Sequence, residues 1–146
     1  MMKVIKLDNL NLEILELLEE DCTLTYNDIA KALNKNIWTV RERIENLKRK
    51  GVIQGCKAKI NYSMINLNCK AYLFFNIPPD KIDEFLKFAK SQKNIKRLTI
   101  ISGERRFIAE IVGETCSQIR DYIKENFIEY GIYNTSLEIV LDEPKG

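Results

Sequence analysis

The spacing of apolar residues changes character once along this 146-residue chain, and that change limits the folds open to it. Up to about residue 50 apolar residues recur every three or four positions, the period of helices that bury one face. Leu10, Ile14, Leu17 and Leu18 follow Asp8 and Asn9, either of which can cap a first helix running to about Glu20. Thr25 with Asp28 three residues on makes a capping box for a short second helix, whose apolar side is Ile29, Ala30 and Leu33. Asn34-Lys35-Asn36 breaks that helix. Asn36 then caps a third, which runs to about Lys50 and ends at Gly51. Three helices with a turn of about three residues between the last two form a helix-turn-helix.

Beyond Gly51 the period becomes that of strands alternating with helices. Cys56, Ala58 and Ile60 alternate with Lys57 and Lys59, which predicts a half-exposed strand within Val52 to Asn61. The later segments read as strand 71–77, a helix opened by Pro78-Pro79-Asp80, strand 95–101, strand 107–112, helix 115–129 and strand 133–141. This βαββαβ order is a ferredoxin-like sandwich with helices on one face of an antiparallel sheet. The fold class is therefore α+β, with a winged-helix-like helix-turn-helix domain over 1–54, a linking strand or hinge over 55–66, and a ferredoxin-like domain over 67–146. The uncovered sheet face, given the apolar content of these strands, is expected to pack on another copy of the protein.

Net charge is only +2, so whole-chain composition does not argue for a polyanionic partner. Its distribution does. Seven acids and only Lys31 as a base lie between Asp8 and Asn34, whereas eight bases and only Glu42 and Glu45 as acids lie between Lys35 and Lys59. The bases begin where the second helix hands over to the third, the place where a protein that grips a duplex needs lysine and arginine. Histidine is absent, which removes the common general base near neutral pH and a principal metal ligand. The four cysteines are widely separated with no CxxC spacing, and read as reduced, buried thiols. No catalytic residue, metal site or cofactor is expected. No apolar run approaches a membrane span, and the expected location is the cytoplasm, in association with the nucleoid.

On a helical wheel Ile37, Val40, Ile44 and Leu47 fall within about 80° and form the stripe of the third helix that faces the core. Trp38 and Thr39 project from the opposite side of its first turn. In a helix-turn-helix that turn reaches base edges while cationic side chains hold phosphates. Trp38 and Thr39, with Asn36, are therefore expected in the groove, and Arg41, Arg43 and Lys48 on phosphates, with Lys35 and Lys50 as further cations.

Several stretches resemble the Lrp/AsnC family of leucine-responsive, or feast/famine, transcription regulators. They are LDNLNLEILELL, TYNDIAKAL, VRERIENLKRKGVIQG followed by KAKIN, ISGERRF, and YGIYNTSLEIVLDE, in the family's order over almost the whole chain. The resemblance implies double-stranded DNA as partner, a linking strand that pairs between subunits, and a carboxy-terminal domain that dimerises and often builds octamers. It also implies an amino-acid effector bound between dimers. The corresponding effector residues are Ser102, Gly103, Glu104 and Arg106. The family's loop often reads Gly-Asp-x-Asp before an aromatic, whereas this chain has Gly103-Glu104-Arg105-Arg106 before Phe107. Glu104 keeps a carboxylate for an amino group; Arg106 places a cation where a second acid would sit. The alternative function is a low-specificity DNA-organising protein without an effector. A remoter one is an enzyme like the haem-precursor decarboxylases, which resemble this two-domain plan but use the histidine this chain lacks.

Overall fold

The computed structural model describes residues 8–146, so the first seven residues of the expected 1–54 module lie outside it. The chain divides into two compact units, with the boundary between Lys59 and Ile60.

The first unit holds α1 (Asn9–Glu20), α2 (Tyr26–Leu33) and α3 (Ile37–Arg49). Asp8, rather than Asn9, caps α1, its carboxylate accepting the Asn11 amide at 3.0 Å. The capping box of α2 is complete: Thr25 Oγ1 accepts from the Asp28 amide and the Asp28 carboxylate from the Thr25 amide, both at 3.0 Å. The Thr25 amide, and after it the Thr25 hydroxyl, hold the Asp28 carboxyl below its ordinary pKa. Ile14, Ile29, Ala30, Val40, Ile44 and Leu47 form the core of the unit. Ile37, expected in that stripe, is 39% exposed, because the first turn of α3 projects beyond the helices it packs on. At the other end Gly51 takes φ +81°, and the Val52 and Ile53 amides return to the Leu47 carbonyl at 2.9 and 3.2 Å. This left-handed closure turns Ile53 back onto the core.

The segment 52–61, expected to hold a linking strand, makes no ladder among the described residues of the single chain and leads into a 3₁₀ turn at Tyr62–Ile65; a strand that pairs between subunits takes its neighbour from a second copy. One expectation is corrected here. The cysteines are not free thiols but paired, Cys22 with Cys56 and Cys69 with Cys116. Partners 34 and 47 residues apart in sequence are brought to Cα separations of 5.8 and 5.3 Å, within the span a disulfide bridges.

The second unit contains β1 (Cys69–Asn76), α4 (Ile82–Ser91), β2 (Ile95–Ile100), β3 (Phe107–Gly113), α5 (Cys116–Asn126) and β4 (Tyr133–Ile139), the βαββαβ order read from the sequence. The strands lie in the order β2-β3-β1-β4, all neighbours antiparallel. Alternation in β1 sends Ala71, Leu73 and Phe75 to the core, with Tyr72 and Phe74 half-buried on the other face. Phe75, Phe85 and Phe127 meet edge to face at centroid distances of 5.3 to 5.9 Å. Gly113 ends β3 beneath α5, where an added Cβ would stand 2.9 Å from Ile119 Cγ1, so a larger residue there would push the helix off the sheet. On the open face Lys70 joins Glu110 and Glu143, each at 2.8 Å.

The Cys69–Cys116 bridge ties the start of β1 to the first residue of α5 and spans 47 residues. By the chain-entropy account its removal through Cys116→Ala should cost about 2–4 kcal/mol. A urea titration should show a lower midpoint for the variant, and the same direction of shift for the wild type in reductant. Identical midpoints in oxidising and reducing buffer would show that the thiols do not pair.

Candidate nucleic-acid interface

The turn between α2 and α3 is built by two asparagines with different tasks. Asn34 adopts the left-handed conformation (φ 52°, ψ 51°), which asparagine tolerates better than most residues. The Asn34 amide donates to Lys31 at 3.3 Å and the Lys35 amide to Ala30 at 2.9 Å, closing α2. Two residues on, the Asn36 side-chain oxygen accepts the Trp38 amide at 2.8 Å and starts α3. The reversal is complete in three residues, and the first turn of α3 stands clear of the core.

Trp38 is 68% exposed, and Asn36 and Thr39 beside it are also exposed. Arg41 lies with its guanidinium carbon 5.8 Å from the Trp38 ring centroid and its Nε 3.1 Å from Glu45 Oε1. This is a surface arrangement of cation–π and i,i+4 ion-pair type, weakly held and easily exchanged. Lys48 is exposed further along α3, where it lines a groove of about 940 Å³ with Leu15, Glu19 and Val52. The structure thus gathers Asn36, Trp38, Thr39 and Arg41 at one end of α3 and leaves Lys48 at the other.

Arg43 is placed differently. Its Nη1 lies 2.5 Å from Asp8 Oδ2 and 3.3 Å from Asn11 Oδ1, so its guanidinium is turned inward to the start of α1. The Arg43 hydrogen bond and the Asn11 amide hold the Asp8 carboxyl below the usual carboxylate range. This contact crosses from residue 8 to residue 43, and no local pattern signals it.

In the second unit Ser102, Gly103, Glu104 and Arg106 share one exposed turn between β2 and β3. The residue that shapes it, Asn76, did not emerge from the sequence. Its side chain donates to the Glu104 carbonyl at 2.9 Å and accepts the Arg106 amide at 2.8 Å. Arg105, also not singled out, donates from Nε to the Asn134 carbonyl at 3.0 Å. The only sequence hint to Asn76 is a polar residue ending an apolar strand.

Residues 7–54 match the family model for winged helix-turn-helix DNA-binding domains. An HTH-type transcriptional regulator of Pyrococcus furiosus is 28% identical over 94% of this chain and 93% of that protein. LrpA of Pyrococcus horikoshii is 26% identical over 90% of this chain and 94% of its own length. The chain is an HTH-type transcriptional regulator similar to the Lrp/AsnC proteins. Among solved structures, Bacillus subtilis LrpC superposes with a TM-score of 0.86 at 19% identity, covering 97% of this chain and 99% of that one. A Neisseria meningitidis transcriptional regulator solved with L-Met gives 0.88 at 17% identity, over 97% and 94%. The protein is thus a DNA-binding transcription factor, with the α+β fold of these solved structures. No helix among the described residues is long and apolar enough to cross a membrane.

Because Asn36 supplies the side-chain cap of α3, Asn36→Ala should lower stability by about 1 kcal/mol, while Asn36→Asp should retain most of it. Urea denaturation followed by fluorescence of Trp38, the chain's single tryptophan, measures both. Equal midpoints for the Ala variant and the wild type would show that the cap contributes nothing.

Proposed function

We propose that this regulator binds its sites as a symmetric dimer, with the α3 of each subunit in a major groove about one helical turn from its counterpart, roughly 34 Å away. The observation that carries the reading is the exposed first turn of α3, where Trp38 and Thr39 project free of the core beside the Asn36 cap. Trp38 and Thr39 meet base edges, and Asn36 adjoins them. Arg41 exchanges Glu45 for a phosphate, and Lys48 with Lys35 and Lys50 adds charge attraction without sequence preference. Tyr72, Phe74 and Ile108, half-buried on the open sheet face, support association through the second unit.

A DNA selection experiment followed by anisotropy titrations at several salt concentrations tests this. Arg41→Ala should weaken binding to every duplex and reduce the log–log salt slope by about 0.9, the share of a single neutralised phosphate. Trp38→Ala should instead change the preferred bases, by about 1–3 kcal/mol at the position it reads. A base preference untouched by both substitutions would remove α3 from the groove.

The turn 102–106 is the site proposed for a small-molecule effector. Glu104 offers a carboxylate to an amino group and Arg106 a guanidinium to a carboxylate, the two charges of a free amino acid, on a turn that Asn76 holds in shape. A thermal-shift series with the twenty amino acids tests it, since a ligand at about 100 times its dissociation constant adds about 2.7 kcal/mol. Melting temperatures unmoved by all twenty would retire amino-acid regulation for this chain.

A further inference from the structure

The apolar contacts of α3 leave one degree of freedom weakly specified. Val40, Ile44 and Leu47 bury one stripe of the helix, but hydrophobic burial is non-directional and a helix can roll over such a seat at modest cost. The directional contact lies at Arg43. Asp8 caps α1 with Oδ1 and takes Arg43 Nη1 on Oδ2 at 2.5 Å; the same nitrogen reaches Asn11 Oδ1 at 3.3 Å. Asn11 is 8% exposed, the one polar side chain in the buried set of described residues, and Arg43 satisfies its oxygen. The Arg43 side chain is itself only 34% exposed. Arg43 therefore bonds to the first turn of α1 while Trp38 and Thr39 stand about one turn before it on α3, so a roll that breaks the clasp also swings the groove-facing side chains.

We infer that Arg43 is a positioning residue: the Asp8–Arg43–Asn11 clasp fixes the roll of α3 on α1, aims Trp38 and Thr39 at the bases, and contributes no charge to the phosphates. The inference rests on the assignment of α3 to the groove. It opposes the simpler role that a basic residue on that helix suggests, in which Arg43 holds a phosphate and Asp8 competes for it. The two roles differ in sign. A neutral residue at position 8 frees the guanidinium for DNA in the phosphate role and raises the net charge by one, both of which tighten binding. In the positioning role the same change loosens the helix and weakens binding to the preferred site despite the added charge.

Asp8→Asn is the informative variant, because its amide oxygen still accepts the Asn11 amide and leaves α1 capped. Full-length wild type, Asp8→Asn, Arg43→Ala, Arg43→Lys, the Asp8→Asn/Arg43→Ala double variant and Arg41→Ala would be titrated onto a duplex chosen by selection and onto a random-sequence duplex, at four salt concentrations. Circular dichroism would confirm folding at the assay temperature. Asp8→Asn and Arg43→Ala are each expected to weaken the selected duplex about tenfold, as much as one mismatched base pair does. The double variant should be no weaker than either single one, since one clasp is broken in all three. Binding to the random duplex and the salt slope should stay at wild-type values, whereas Arg41→Ala lowers the slope by about 0.9. Arg43→Lys, which keeps a charge opposite Asp8, should recover part of the affinity. Tighter or unchanged binding by Asp8→Asn, or a slope lowered by about 0.9 in Arg43→Ala, would overturn the positioning role while leaving α3 in the groove. If Arg41→Ala and both clasp variants all bind as wild type does, the assignment of α3 itself fails, and this inference with it.

Discussion

Three buried side chains on a thirteen-residue helix govern the DNA-binding unit. Val40, Ile44 and Leu47 are the whole of the buried set on α3, and every other side chain of that helix is at least partly open to solvent. So narrow a seat has a consequence for function. A helix that enters a groove must offer most of its circumference to the nucleic acid, so its attachment to the protein has to come from a thin stripe, good caps and a few directional polar contacts. The Asn36 cap, the left-handed Asn34 and the Asp8–Arg43 bond supply what the stripe cannot. The exposure of Ile37 belongs to the same arrangement: the first turn lies beyond the supporting helices, which frees Trp38 and Thr39 and leaves an apolar neighbour uncovered.

The second unit solves its burial differently. Strict alternation along β1 and most of β3 sends one set of side chains to α4 and α5 and the other to the open face. The closed side is dense with aromatic rings, whereas the open side mixes Tyr72, Phe74 and Ile108 with the Lys70, Glu110 and Glu143 ion cluster. A mixed apolar and charged face of that kind is the surface through which the association proposed above would run.

Much of this architecture was legible in the sequence because its causes are local. Caps act over three residues, helical and strand periods over about ten, and the Asn34-Lys35-Asn36 turn announces itself by residue type. The βαββαβ order followed, as did the exposed face of α3. What could not be read depends on pairs far apart in the chain. The Cys22–Cys56 and Cys69–Cys116 bridges join residues with no spacing signature, and Asn76 meets Glu104 and Arg106 only because β1 and β3 are neighbours. The alternating segment after Gly51 depends on a pair of another kind: its local pattern is that of a strand, but a ladder requires a second strand, which none of the described residues of the single chain provides there. At the candidate site the exposure of Trp38 and Thr39 was legible, whereas the partners that hold Arg41 and Arg43 were not.

That division appears once the bases of α3 are sorted by what already holds them. Arg41, Arg43 and Arg49 look alike in a charge count, yet Arg41 is bound to Glu45 on the surface, Arg49 to Asn46 one turn back, and Arg43 to a capping aspartate and a buried asparagine on another helix. A surface i,i+4 pair contributes only a few tenths of a kcal/mol, so a phosphate can replace Glu45 at little cost. Drawing Arg43 away from Asp8 would also leave the side-chain oxygen of the buried Asn11 without its partner, a cost that the surface pair of Arg41 does not carry. The acidic and basic stretches of the sequence are therefore not simply a supporting half and a DNA-facing half. One charge from each is joined across the fold, and that bond orients the surface on which the remaining cations act.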